Sequence, residues 1–411
     1  MKQNRPRPLI ILFLAGMVAV NAIVLWYGRN FIFKGYGDFA ALYTAGKLLD
    51  RGQGPDLYLR SAQWKVQQEF ASNVEVRKGP LPYIRPPFEA LLFAPFARFN
   101  YPTACGLWMI FNILILFCIP PLLAFNARSQ LGIPYWLLGP LCLAFTPVAV
   151  SLLNGQDAIL LLFIFCLALH IFQRGHSYLA GAVLALGLVK FHLMIPFILV
   201  LLFRKKIKVV AGFLFAAFGL ILISIAITGW PRALDYPRYL WRLNGMVGAG
   251  VVTTVSMPNF RGALTVLLGN RPLPVHANFI LVPIVMIGIF IAASGWRDSK
   301  GIPALSSASY SFALVVTLLC SYYAYGYDLT LLLLPFLLFS DQFLNLQGWH
   351  WPKLLFAISA IILFCSPLMW AIFFGLARFY WLILPMLALA LSLYWCLAWS
   401  NQSKILAFDG R

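Results

Sequence analysis

Residues 177–203 read SYLAGAVLALGLVKFHLMIPFILVLLF, a long apolar run broken only near its middle by Lys190 and His192. It is longer than the roughly 20 residues of one ordinary membrane span and too short for two. How it is read decides the topology. As one helix it would deliver Arg204, Lys205 and Lys206 to the side opposite the other cations, against the bias that keeps Lys and Arg cytoplasmic. Folded back at Lys190, it becomes two segments, 177–189 and 192–203, and the basic run stays with its fellows. Neither half reaches span length, and broken helices of this kind line cavities rather than face lipid. The charges favour two segments, with Lys190 and His192 near the external tip.

The surrounding chain has the same character. Of 411 residues, 62% are hydrophobic, 16% aromatic and only 10% charged, which excludes a set of soluble domains and indicates an all-α polytopic membrane protein. The other apolar runs fall at 8–27, 104–125, 134–152, 157–172, 209–228, 274–294, 303–322, 328–340, 353–373 and 379–399, giving about twelve candidate spans in one integral-membrane domain. The first run follows Lys2, Arg5 and Arg7, has span length and lacks a small-residue cleavage site, so it reads as an uncleaved helix. With that end inside, alternation also places Arg128, Arg174, Arg204–Lys206, Lys208, Arg297, Lys300, Lys353 and Lys404 inside. Both termini are then cytoplasmic, in an inner (plasma) membrane. The net charge of +19 is explained by orientation and anionic lipid rather than by nucleic acid. All seven cysteines lie in apolar runs, which predicts neither a disulfide framework nor a zinc site.

Two external segments carry most of the unusual polar residues. The first, 28–103, is too long for a simple connection, and helices are expected around 40–51 and 61–71 before a return punctuated by Pro80, Pro82, Pro86 and Pro87. The second, 229–273, holds Arg232, Arg238, Arg242, Arg261 and Arg271.

With only 12 Asp and Glu in the chain, a carboxylate beside a membrane is a candidate for chemistry. Asp38, in Gly37-Asp38-Phe39, is the first; its bland reading is a surface pair with Lys34 or Lys47. A phosphate-bearing substrate would need cations, and Arg suits phosphate because its planar fork binds two oxygens. Arg85, Lys190, Arg238 and Arg261 are available, although loop arginines more often face anionic headgroups. Lys190 stands out because an ammonium between apolar segments is costly without a partner. His192, more often a satisfied core residue, gains interest if it shares that site. Asn154 and Asp157 are good capping residues beside Gln156. In Ser321-Tyr322-Tyr323-Ala324-Tyr325-Gly326-Tyr327-Asp328 the tyrosines suit an interfacial belt, but Asp328 does not. The chain has no Walker motif, no Rossmann fingerprint and no acidic cluster suited to Mg²⁺ or Mn²⁺.

Taken in order, Gly37-Asp38-Phe39 with Tyr43, Arg85-Pro86-Pro87-Phe88, Asn154-Gly155-Gln156-Asp157 and Ala180-Gly181 with Lys190 resemble the motifs of glycosyltransferase family 87. Ser256-Met257-Pro258-Asn259-Phe260-Arg261 resembles a further segment of that family. The resemblance runs over about residues 35–340. It implies a GT-C-type membrane enzyme that moves a hexose, mannose above all, from a polyprenyl-phosphate donor to a glycan or glycolipid on the external face. It implies Asp38 as general base, single displacement with inversion, and no cofactor. It also implies a donor-phosphate site among Arg85, Lys190, His192, Asn259 and Arg261, with other substrate contacts from Tyr43, Gln156, Asp157, Tyr325 and Asp328. Two other classes compete: a transporter or flippase, to which broken helices are equally suited, and a non-catalytic scaffold.

Overall fold

The computed structural model describes residues 8–71, 79–124, 135–245, 253–269, 278–296, 303–345, 350–376 and 379–399. Lys2, Arg5, Arg7, Arg128, Arg271, Arg297, Lys300 and Lys404 lie outside them. All regular structure among the described residues is helical. The elements that build the site are α1 (Pro8–Tyr27), α2 (Phe39–Asp50), α3 (Arg60–Ala71), α4 (Tyr101–Ala124), α5 (Thr146–Asn154), α6 (Ala158–Gln173), α7 (Ser177–Ala185), α8 (Phe191–Phe203), α9 (Ile207–Thr228) and α10 (Trp230–Gly245).

By length and composition, five helical runs could cross a membrane, or seven if each of two bent pairs counts as one span. That count is made over the described residues and takes Ser177–Phe203 as a single run; it does not confirm the expected twelve spans. Further apolar helices occur at expected positions over Ala158–Gln173, Asn278–Gly295, Pro303–Cys320 and Leu333–Asn345. The bends have a local cause. Phe145 (ψ 106°) and Cys365 (ψ 87°) leave helical geometry, and Pro147 and Pro367 open the helices that follow. Proline fits the first turn of a helix, where no amide donor is needed, and not its interior. The result is a 78° bend between Leu137–Ala144 and Thr146–Asn154 and a 64° bend between Trp351–Phe364 and Ser366–Gly375.

Ser177–Phe203 qualifies as one 27-residue run by length and hydropathy, yet its contacts require the chain to return on itself. Asp157, at the start of α6, lies 2.9 Å from the Lys190 ammonium. Phe172, in the last turn of α6, stacks under the Lys206 ammonium at 5.5 Å. The 16 residues of α6 rise about 24 Å at 1.5 Å per residue, so Lys190 and Lys206 sit at opposite ends of it. The start of α7 is back at the Lys206 end, because Tyr178 and Gly181 pack on Val209 and Gly212 of α9. α7 therefore runs away from that end and α8 comes back, with a 3₁₀ segment over Leu186–Lys190 and Lys190 (φ −121°, ψ 64°) making the turn.

The α7–α9 crossing is built on glycine. A Cβ on Gly181 would lie 1.9 Å from the Val209 carbonyl oxygen, and one on Gly212 would lie 2.0 Å from the Tyr178 carbonyl oxygen. Small residues let backbones approach this closely where no hydrophobic force drives helices together. Gly181→Val should destabilise the fold by about 2–3 kcal/mol through overpacking. A thermal melt in detergent reads this, and an unchanged midpoint would mean that the α7–α9 contact gives way at little cost.

The long first segment folds as its periodicity predicts, with helices at Phe39–Asp50 and Arg60–Ala71. It has its own core, in which Phe39, Phe93 and Tyr101 meet Trp108 of α4. Phe39 stacks on Trp108 at 6.4 Å, and Phe93 meets the same ring edge-on at 4.8 Å. This core presses the start of α2 against the end of α5.

Candidate active site

Two sequence motifs meet at that contact. Gly155 ends α5 in the left-handed conformation (φ 64°), and a Cβ there would stand 2.5 Å from Cβ of Phe39. A Cβ on Gly37 would be 3.0 Å from the Asn154 carbonyl oxygen. Glycine meets both demands at Gly155: positive φ and close approach. Trp108 Nε1 donates to the Gly155 carbonyl (3.0 Å) and closes the joint. Gly37-Asp38-Phe39 and Asn154-Gly155-Gln156-Asp157 are thus two sides of one contact. It brings Gln156 Nε2 within 2.7 Å of Asp38 Oδ2, to which it donates. Asp38 occupies the N-terminal cap position of α2, yet its side chain does not cap the helix. The surface pair with Lys47 does not form: Lys47 donates to Ala97 O (2.8 Å) and faces Asp50 at 4.0 Å.

Behind Gln156 lies a buried chain of charges. Arg85 Nη2 donates to Gln156 Oε1 (2.9 Å) and to Asp157 Oδ1 (3.2 Å), and its Nη1 donates to Val189 O (3.3 Å). Lys190 Nζ binds the same Asp157 Oδ1 at 2.9 Å and Asp328 Oδ1 at 2.6 Å. Asp328 Oδ2 accepts from the Tyr325 backbone N–H (2.9 Å), and the Tyr327 ring lies 4.8 Å from the Lys190 ammonium. Lys190 and Asp157 are 0% exposed, so the cost of burying each charge is offset only by these partners. Asp157 makes no capping bond to α6; its Oδ1 is committed to the two cations. Burial works against the charge of Arg85, but the neighbouring carboxylates, Asp157 first, outweigh it and hold the guanidinium above its ordinary pKa.

A cavity of about 320 Å³ opens over this chain. Asp38, Arg85, Gln156, Lys190, His192, Tyr325 and Asp328 line it, together with Leu240 and Leu243 of α10. His192 Nδ1 lies 3.2 Å from Ser321 Oγ, and Ser321 also donates to Tyr323 O. α10 is pinned across the rim by Tyr236, whose hydroxyl donates to Ile84 O (3.0 Å), and Tyr239, whose hydroxyl donates to Tyr83 O (3.0 Å).

Most of the expected site residues therefore share one cavity, and four do not line it; Asp157 lies buried behind Arg85 and Gln156. Tyr43 is packed in the aromatic core and donates to Phe99 O (2.9 Å). Asn259 caps its helix by accepting from Gly262 N (2.9 Å) and donates to Ser321 O (2.8 Å). Arg261 donates to Tyr322 O (3.1 Å) and lies over the rings of Tyr322 and Tyr323 at 3.8 and 4.8 Å. Asn259 and Arg261 hold the tyrosine loop that forms one wall. Arg238 faces outward and pairs with Asp235 at 3.3 Å. Sequence reasoning missed Glu89, which is buried beside Arg85 and Asp157. The available signal was an acid wedged between Pro87-Phe88 and the apolar run Ala90–Phe93 in an acid-poor chain.

No curated protein and no solved structure matches the chain. The family model described as glycosyltransferase family 87 matches residues 83–322, which takes in Arg85, Gln156, Asp157, Lys190, His192, Asn259 and Arg261, with Asp38 and Asp328 beyond its ends. A match over more than half of an apolar, helical chain, spanning the buried charge cluster, means that this protein belongs to glycosyltransferase family 87.

Proposed function

We propose that the protein transfers a hexose, mannose first, from a polyprenyl-phosphate donor to a hydroxyl of a glycan or glycolipid at the external face of a plasma membrane, with both termini cytoplasmic. The observation that carries this reading is one cavity with a carboxylate on one wall and buried cations on the other, joined through Gln156. The acceptor oxygen attacks the anomeric carbon and its proton passes to Asp38. The bond from that carbon to the phosphate oxygen breaks, and polyprenyl phosphate leaves with the negative charge. One displacement inverts the anomeric centre. Charge grows on the leaving phosphate as the bond lengthens, so cations fixed in place lower the barrier without having to reorganise. Arg85 and Lys190 line the cavity and serve that end, His192 beside them offers a neutral ring nitrogen, and Tyr325 and Asp328 shape the sugar's side.

The rim suits a lipid-borne donor. Trp230, Leu234 and Trp241 recur on one stripe of α10 and are exposed, while Tyr236, Tyr239, Leu240 and Leu243 face the protein. Arg238 and Arg242 flank the stripe. An apolar stripe edged with cations is the pattern of a helix lying in a headgroup layer. A lipid chain could then stay in the bilayer while its phosphate reaches the cavity. The test is a comparison of donors: purified protein in vesicles, a glycan acceptor, and radiolabelled mannose on polyprenyl phosphate or on a nucleotide. Label should reach the acceptor only from the lipid donor, and equal transfer from the nucleotide sugar would sink the reading.

A further inference from the structure

Glu89 ends a short 3₁₀ turn, Pro87–Glu89, and is 2% exposed. Its Oε1 and the Oδ2 of Asp157 are both buried, and neither receives a hydrogen bond from an N–H or O–H donor among the described residues. The two carboxyl groups face each other within hydrogen-bonding reach. Two ionised carboxylates in that position would repel each other, whereas one proton between them satisfies both orphan oxygens. Asp157 already accepts from Arg85 and Lys190 through Oδ1, so the proton belongs on Glu89. The Tyr83 hydroxyl donates chiefly to Pro86 O (2.9 Å) and lies 3.4 Å from Glu89 Oε2, a weaker contact to the other oxygen. The groups facing Glu89 are thus Asp157, Arg85, Lys190 and Tyr83, with Tyr58 and Tyr236 farther out.

We propose that Glu89 is a positioning residue that works as a neutral carboxylic acid, donating to Asp157 so that the Arg85–Lys190 site carries no surplus negative charge when an anionic phosphate enters. The charges can be counted. Arg85 and Lys190 balance Asp157 and Asp328, so the cluster is neutral with Glu89 protonated and carries one negative charge with Glu89 ionised. Burial first, and the neighbouring Asp157 second, hold Glu89 well above the usual carboxylate range, against the opposing pull of Arg85 and Lys190. The site is intact below that raised value. As pH climbs through it, Glu89 ionises, Asp157 loses its donor, and the phosphate meets one more negative charge.

This inference rests on the phosphate-donor reading above, and the test separates the two. Glu89→Gln keeps the shape and a donor for Asp157 but cannot ionise; Glu89→Ala removes both. With a polyprenyl-phosphate-mannose donor, the parent's donor KM should rise about tenfold from neutral to alkaline pH, the partly screened effect of one like charge at short range. Glu89→Gln should match the parent at neutral pH and lack that rise, while Glu89→Ala is impaired throughout. The infrared carbonyl band of a protonated carboxylic acid, measured without donor, should be present in the parent and in Asp38→Asn and absent in Glu89→Gln. Loss of the band in Glu89→Gln supports a neutral Glu89 whatever the donor proves to be. A parent that transfers nothing while the band behaves as expected overturns the donor reading and the role assigned here. An alkaline KM rise that survives in Glu89→Gln, or a band unaffected by the substitution, overturns the inference alone.

Discussion

Asp38→Asn is expected to slow sugar transfer by about 10²–10⁴-fold, the usual contribution of a positioned general base. The substitution keeps the shape of the side chain and an oxygen that can accept from Gln156 Nε2, so the Gly37–Asn154 contact and the fold should survive. A base that acts only in the transition state lowers kcat and kcat/KM together and leaves donor binding nearly unchanged. Single-turnover assays with radiolabelled donor measure the first quantity, and a thermal melt confirms the second premise. Asp38→Glu moves the carboxylate outward by one methylene and should keep some activity. If Asp38→Asn transfers sugar as fast as the parent, the base lies elsewhere and Asp38 merely orients Gln156.

The order of motifs was legible in the sequence because each carries a local demand that only a few residue types meet. Gly155 must adopt positive φ, and Gly37 must let a carbonyl approach. The charge alternation also pointed to a turn at Lys190, because a straight run would have stranded Arg204–Lys206. Two things could not be read in one dimension. One is the number of spans, since hydropathy does not reveal that Phe145 and Cys365 bend their helices. The partners of buried polar groups were also hidden. Asp157 looked like a helix cap, and only the fold discloses that the Arg85–Glu89 return and the α7–α8 turn surround it with Arg85, Glu89 and Lys190. Tyr43, Asn259 and Arg261 matched the family pattern as plausible substrate ligands, but packing commits them to the walls.

Lys190→Met is expected to cost about 3–5 kcal/mol of stability, because it leaves buried carboxylates without their cation. The parent cluster balances Arg85 and Lys190 against Asp157 and Asp328; the variant keeps one positive charge against two negative ones. Loss of activity in that variant alone would say little, since a damaged fold also loses activity. Lys190→Met/Asp328→Asn resolves this. The second change removes the surplus charge, leaves Arg85 paired with Asp157, and keeps an oxygen to accept from Tyr325 N–H. The double variant should regain most of the lost melting temperature. Its donor KM should nevertheless stay at least about tenfold above the parent's, since a charge-assisted contact to phosphate contributes about 1.5–3 kcal/mol. Recovery of both properties would reduce Lys190 to a structural counter-ion and leave the phosphate to Arg85 and His192. Recovery of stability alone makes Lys190 both the pin of the α7–α8 turn and a ligand of the donor. The two roles are compatible, because an ammonium already held by Asp157 and Asp328 loses little freedom when phosphate arrives.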